Sequence, residues 1–193
     1  AASFGSQYGV ANRGSPNSSE IQDILKFAKL SGFKGIDTAR DYRGSEEQIG
    51  LVGAQGLDVF TKFSHGSDLL DLSTLRIQTK DSASRLGQVE LQGMSPHGFS
   101  DFARAGEVGV RNLETLKAEG SIQSWGISLY EPAEFSTAIR FGLPDFIQIP
   151  MNCLDRRFKT AGVIEQAKMK GISIQVRSIF LQGALLQKPE QLP

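Results

Sequence analysis

The chain has 193 residues, 39% hydrophobic and 22% charged, which is material for a real core and the balance of an ordinary globular protein. Lys plus Arg and Asp plus Glu each number 21, so the formal charge is +0 and there is no electrostatic footprint for nucleic acid or an anionic membrane. One cysteine, Cys153, excludes an intramolecular disulfide and fits a reducing compartment, with the thiol buried and inert.

At the start, AASFGSQYGVANRGSP lacks the basic head and apolar centre of a signal peptide, and it reads as a cut end. No apolar run approaches a membrane span, so the cytoplasm is the expected location. The first helix is expected over Ser18 to Leu30, with Ser18 or Ser19 as N-cap and SGFKG closing it. A strand follows in KGID, a helix over Ser45 to Val52, a strand in DVFTK and a helix over Leu69 to Leu86. Then come strand VELQGMSPH, helix Arg104 to Glu119, strand IQSWGIS, helix Pro132 to Phe141, strand DFIQIPM, helix Thr160 to Lys170 and strand ISIQVRSI. Short apolar runs alternating with helical patterns argue for βα units around a parallel sheet, so the fold class is α/β. No repeat, low-complexity tract or linker divides residues 1–193, and one domain is expected.

The later strands carry a second pattern. Trp125 and Ile127 alternate with Ser124 and Ser128, Ile147 and Ile149 flank Gln148, and Ile174 and Val176 alternate with Gln175 and Arg177. Successive strand side chains point to opposite faces. A doubly wound sheet would want both faces apolar, whereas a barrel puts apolar faces under its helices and polar groups at its mouth. The pattern therefore favours a barrel with its site at the C-terminal strand ends, among Asp37, Lys62, His97, Ser128, Gln148 and Arg177.

Within DTARDYRGSEEQIG, Tyr42 follows Asp37 in the loop, and Lys62 and His97 end the next two strands. Such a set suits proton donation to an oxygen that becomes anionic. Tyrosine, with a pKa of about 10, needs help for this, and a neighbouring ammonium held by a carboxylate would lower it. Plain structural roles also fit each residue alone: a turn pair at Asp37 and Thr38, a core aromatic at Tyr42, a solvated strand end at Lys62. His65 is a rival imidazole, with a surface position expected from its loop setting, and Trp125 by parity belongs under the helices.

DTARDYRGSEEQIG resembles the signature of the aldo-keto reductases, and DVFTK, VELQGMSPH, LKAEGSIQSWGIS, QIPMN and VRSIFLQGALL resemble later segments of that family in the same order. The resemblance implies a (β/α)8 TIM-type barrel and NADP(H)-dependent reduction of a small carbonyl compound, an aldehyde, ketone or sugar-like carbonyl. It implies Tyr42 as general acid, Lys62 lowering its pKa, Asp37 pairing with Lys62, and His97 orienting the carbonyl. Ser128, Gln148, Asn152, Arg177 and Ser178 fall in its cofactor-binding segments. The chain departs from the family pattern at Arg43, where glycine is usual, at Ser95-Pro96 before His97, and at Arg177, where many members place an aromatic. GLVGAQG lacks the spacing of a dinucleotide-binding GxGxxG and reads as a helix end and loop.

Counting strands from ASFG gives about seven, with the first clipped and no eighth after LQGALLQKPEQLP. The barrel is thus expected to be incomplete at its C-terminus and N-terminus. These residues alone are therefore expected to bind NADPH weakly and to show little or no reductase activity, with an open edge pairing with another chain or poorly ordered ends. A non-catalytic barrel, serving as a binding or structural protein, is the alternative to an active reductase.

Overall fold

In the computed structural model, which describes residues 1–10, 14–87 and 91–188, short parallel strands alternate with helices along the chain. Helix α1 (Ser18–Leu30) starts from Asn17, whose side chain accepts from the Glu20 amide at 3.0 Å while Glu20 reaches back to the Asn17 amide at 2.8 Å. This reciprocal cap displaces the cap expected at Ser18 or Ser19, because it satisfies two amides at once. Ile21 and Leu25 on its inner face are buried.

Strand β1 (Gly35–Asp37) leads to helix α2 (Ser45–Val52), and β2 (Asp58–Lys62) to α3 (Leu72–Arg85). Helix α3 begins three residues later than expected, since the Asp71 carboxylate accepts from the Ser73 amide and fixes the start there. Strand β3 (Gly93–Ser95) is followed by α4 (Phe99–Ala118), which starts earlier than expected and is interrupted at Gly106, where φ is 54°. Val89 and Glu90, the beginning of the expected third strand, lie outside the described residues, as do residues 189–193. Then come β4 (Gly126–Ser128), α5 (Pro132–Phe141), β5 (Phe146–Pro150), the short α6 (Arg157–Thr160), α7 (Val163–Met169) and β6 (Ser173–Arg177). Gly162, at φ 71°, separates α6 from α7 where one helix is expected.

All strand pairs are parallel: β1-β2-β3 form one ladder and β4-β5-β6 another. Parallel bridges Leu91–Ile122 and Met94–Trp125 join the two. The described residues therefore contain six strands rather than about seven. The difference lies at ASFG, where Ala2–Phe4 form a single 3-10 turn with Phe4 packed inward. No helix among the described residues is long and apolar enough to cross a membrane.

Two layers follow from strand parity. On the outer side, fully buried Trp125 stacks with Phe102 of α4 at 6.3 Å and donates to Glu114 at 2.7 Å, under the helices as parity requires. On the inner side, Phe60 and Phe146 meet edge to face at 5.2 Å. Glycines make room for them. A Cβ at Gly93 would lie 2.5 Å from the Phe60 ring, and one at Gly126 would lie 2.2 Å from the Phe146 ring. Two residues further along each strand, on the same inner face, stand Lys62, Gln148, Ser95 and Ser128. An aromatic layer thus floors a polar one. The Gln148 amide on β5 reaches Asp37 on β1 at 2.9 Å, although those strands are not neighbours, so the inner faces curve toward one another.

Candidate functional site

The loop from β1 to α2 is a chain of turns that aims Tyr42 inward. The Thr38 amide donates to the Phe60 carbonyl at 2.9 Å, continuing the ladder past Asp37; Tyr42 N then donates to the Ala39 carbonyl at 3.0 Å and Ser45 N to the Tyr42 carbonyl at 2.8 Å. Arg40 pins the loop to α3 through the Gln78 carbonyl, Ser82 and Asp81. Gly44 takes φ 70°, a left-handed turn one residue after Arg43. Buried Glu46 accepts from Thr61 at 2.6 Å, which ties the Gly-Ser-Glu turn to β2. Pro96 stands just past the end of β3, so it removes no donor from the ladder.

Asp37, Tyr42, Lys62 and His97 line one cavity of about 460 Å³ at the C-terminal ends of the strands. The buried Lys62 ammonium pairs with Asp37 and donates to the Thr38 carbonyl at 3.0 Å. It also sits 5.7 Å from the centre of the Tyr42 ring. Burial, and then the negative charge of Asp37, push the Tyr42 hydroxyl up to about 12. That runs against the expected lowering by Lys62, because the ammonium is engaged by Asp37, whose own charge disfavours a tyrosinate. Tyr42 is therefore a firmly protonated phenol. His97 meets the Tyr42 ring edge to face at 5.7 Å. Burial, then the neighbouring His65 and Lys62, lower its pKa to about 4, so its imidazole is neutral across the physiological range. His65, exposed as expected, nonetheless stacks on His97 with ring centres 3.8 Å apart.

Of the expected cofactor contacts, Ser128, Gln148, Arg177 and Ser178 line the same cavity. Gln148 is buried, with its amide nitrogen 2.9 Å from Asp37 and 3.3 Å from the Gln175 oxygen. Asn152 is not among the cavity residues. Its side-chain oxygen accepts from the Leu154 and Asp155 amides and its nitrogen donates to the Ser178 carbonyl at 3.2 Å, so it shapes the loop after β5 and braces the backbone of Ser178. That turn also leaves Cys153 exposed, correcting the expected buried thiol.

Arg177 lies over the Tyr130 ring at 4.3 Å and donates to the Leu129 carbonyl at 3.3 Å; its Nε is buried without a hydrogen-bond partner. Tyr130 and Gln175 were not singled out from the sequence. Each stands two positions from a chosen residue, Tyr130 after Ser128 and Gln175 before Arg177, and that spacing was the available signal.

A model of the aldo/keto reductase family matches residues 1–192. Among characterised proteins, the D-arabinose 1-dehydrogenase of Saccharomyces cerevisiae is 27% identical over 144 residues, which is 63% of this chain and 40% of that protein. The chain thus aligns with less than half the length of this relative. A Pseudomonas aeruginosa protein assigned to the aldo-keto reductases superposes with TM-score 0.74 at 26% identity, covering 92% of this chain and 70% of that one. The holo aldo-keto reductase AKR11C1 of Bacillus halodurans gives TM-score 0.77 at 22% identity, covering all of this chain and 64% of that one, and supports the fold alone.

Proposed function

The chain belongs to the aldo/keto reductase family, and on that premise we propose that its site reduces a small aldehyde, ketone or sugar-like carbonyl with NADP(H), within one domain that forms a section of a (β/α)8 barrel. The observation that carries this reading is the Lys62–Asp37 ion pair beside Tyr42 and a neutral His97, all on one cavity.

The residues fit a nicotinamide group. Gln148 and Ser128 are polar groups at the cavity wall, and Arg177 offers a planar cation whose Nε lacks a partner. NADPH, when bound, supplies the hydride. The Tyr42 hydroxyl gives its proton to the carbonyl oxygen; an alkoxide is a far stronger base than a phenolate, so a phenol held near 12 still yields it. A carbonyl oxygen entering beside Tyr42 meets Lys62, whose charge opposes the negative charge that develops there. His97, being neutral, has one ring N–H to donate to that oxygen. Gln148 links the two sides of the site by holding Asp37, and so keeps Lys62 in register.

The test is NADPH consumption by this chain with a panel of aldehydes and keto sugars. Substrate-dependent consumption in the wild type that is lost in Tyr42→Phe is expected. Binding of NADPH with no consumption across the panel would favour the alternative, a barrel that binds without turning over.

A further inference from the structure

Behind His97, which lines the cavity, Asp41, His65 and His97 each bring one donor atom within 4.8 Å of the others. We propose that these three residues form a binding site for a divalent transition metal such as Zn²⁺. Two imidazoles and a carboxylate are a ligand set that Zn²⁺ takes, with a fourth position left open. Imidazole donors disfavour Mg²⁺ and Ca²⁺, which seek oxygen.

Three independent features prepare the site. The Asp41 carboxylate is fixed by the His65 amide, which donates to its Oδ2 at 2.7 Å. The same Oδ2 lies 3.2 Å from His97 Nδ1, a separation close to that of two ligands on one tetrahedral ion. His97 is only 8% exposed, and its Nδ1 is buried with no hydrogen-bond partner. A buried ring nitrogen without a hydrogen-bond partner is costly to leave so, and a cation held between it and the neighbouring carboxylate satisfies it. Finally, the His65 ring lies against His97, with a ring nitrogen within 4.8 Å of the other two donor atoms. A metal on Nδ1 leaves the only ring N–H of His97 on Nε2, and so fixes the tautomer of that imidazole.

The experiment is calorimetric titration of the chelator-treated chain with Zn²⁺, together with the visible spectrum of Co²⁺ added in its place. One ion per chain is expected. His65→Ala and Asp41→Asn should each weaken it by about tenfold or more, the loss that even an outer-sphere partner causes at such sites. Asp41 and His65 are exposed, so both variants should keep the wild-type far-ultraviolet circular dichroism. Cys153 is the competing ligand. Cys153→Ser should leave binding unchanged, and the Co²⁺ spectrum should lack a thiolate charge-transfer band. Zn²⁺ binding that disappears in Cys153→Ser, that persists unchanged in His65→Ala, or that is absent from the wild type overturns the proposal. Reductase activity enters none of these readouts.

Discussion

The mouths of the two strand ladders differ in the kind of side chain they present. Around β1-β2-β3 the strand ends and the segments just beyond them carry Asp37, Tyr42, Lys62 and His97, every one titratable. Around β4-β5-β6 the strand ends carry Ser128, Gln148 and Arg177, two neutral groups and a cation, with the Tyr130 ring just beyond β4 lying under Arg177. The floors beneath are alike, Phe60 under one mouth and Phe146 under the other, each fitted against glycine. One scaffold layer thus supports a half suited to moving protons and a half suited to recognising a neutral or anionic group by shape and hydrogen bonds. The Gln148–Asp37 hydrogen bond crosses between them.

If this division is right, the largest effect belongs to the proton half. Tyr42→Phe should lower turnover by about 100-fold to 10,000-fold while NADPH affinity, read by fluorescence titration, changes little. Comparable losses of turnover and affinity would erase the distinction between the halves. Lys62→Met should come next. It leaves Asp37, whose side chain is 35% exposed, without its counter-ion and with only the Gln148 amide as donor among the described residues, and should reduce stability by about 1–3 kcal/mol, read from the urea midpoint. It should also depress turnover.

The shared floor offers a sharper comparison. Gly93→Ala and Gly126→Ala drive a methyl group toward Phe60 and Phe146, and each should cost about 1–3 kcal/mol from overpacking. Phe60→Leu should partly rescue Gly93→Ala and leave Gly126→Ala unrescued. Equal rescue of both would show that the floor is not built of separate glycine-aromatic pairs.

The smallest effect is a slope. His97 titrates at about 4 in the folded chain against 6.5 as its ordinary value, so between those values the unfolded chain binds more protons. Stability should therefore fall as pH drops from about 6.5 toward 4, and the fall should be shallower in His97→Gln, measured as denaturation midpoint against pH.

The scaffold was legible in the sequence where local pattern and tertiary demand agree. Alternation in IQSWGIS and DFIQIPM put Trp125 under the helices and Gln148 inside, and both stand there, because a strand's parity admits only two answers. It was less legible where a few residues decide between two short structures. ASFG has the composition of a strand start, yet it closes as a 3-10 turn, with Gly5 so near the β1–α2 loop that a Cβ would lie 1.4 Å from the Arg43 carbonyl oxygen. Asn152 fell in a cofactor-like segment, but an asparagine can satisfy neighbouring amides, and here that local use occupies its oxygen. The direction of the Tyr42 shift was not legible either. Spacing shows that a lysine is near; it does not show that burial of the phenol outweighs it or that the same lysine is paired with Asp37.

The most direct test of the proton half is the pH dependence of a single turnover, with the chain saturated in NADPH and an aldehyde added. With Tyr42 held protonated to about 12 and His97 neutral above about 4, the rate of NADPH oxidation should be level between those limits and should lose that plateau's height in Tyr42→Phe. A rate that instead rises or falls through a step near 6.5, the ordinary histidine value, and keeps its height in Tyr42→Phe would contradict the account and move the proton donor to an imidazole.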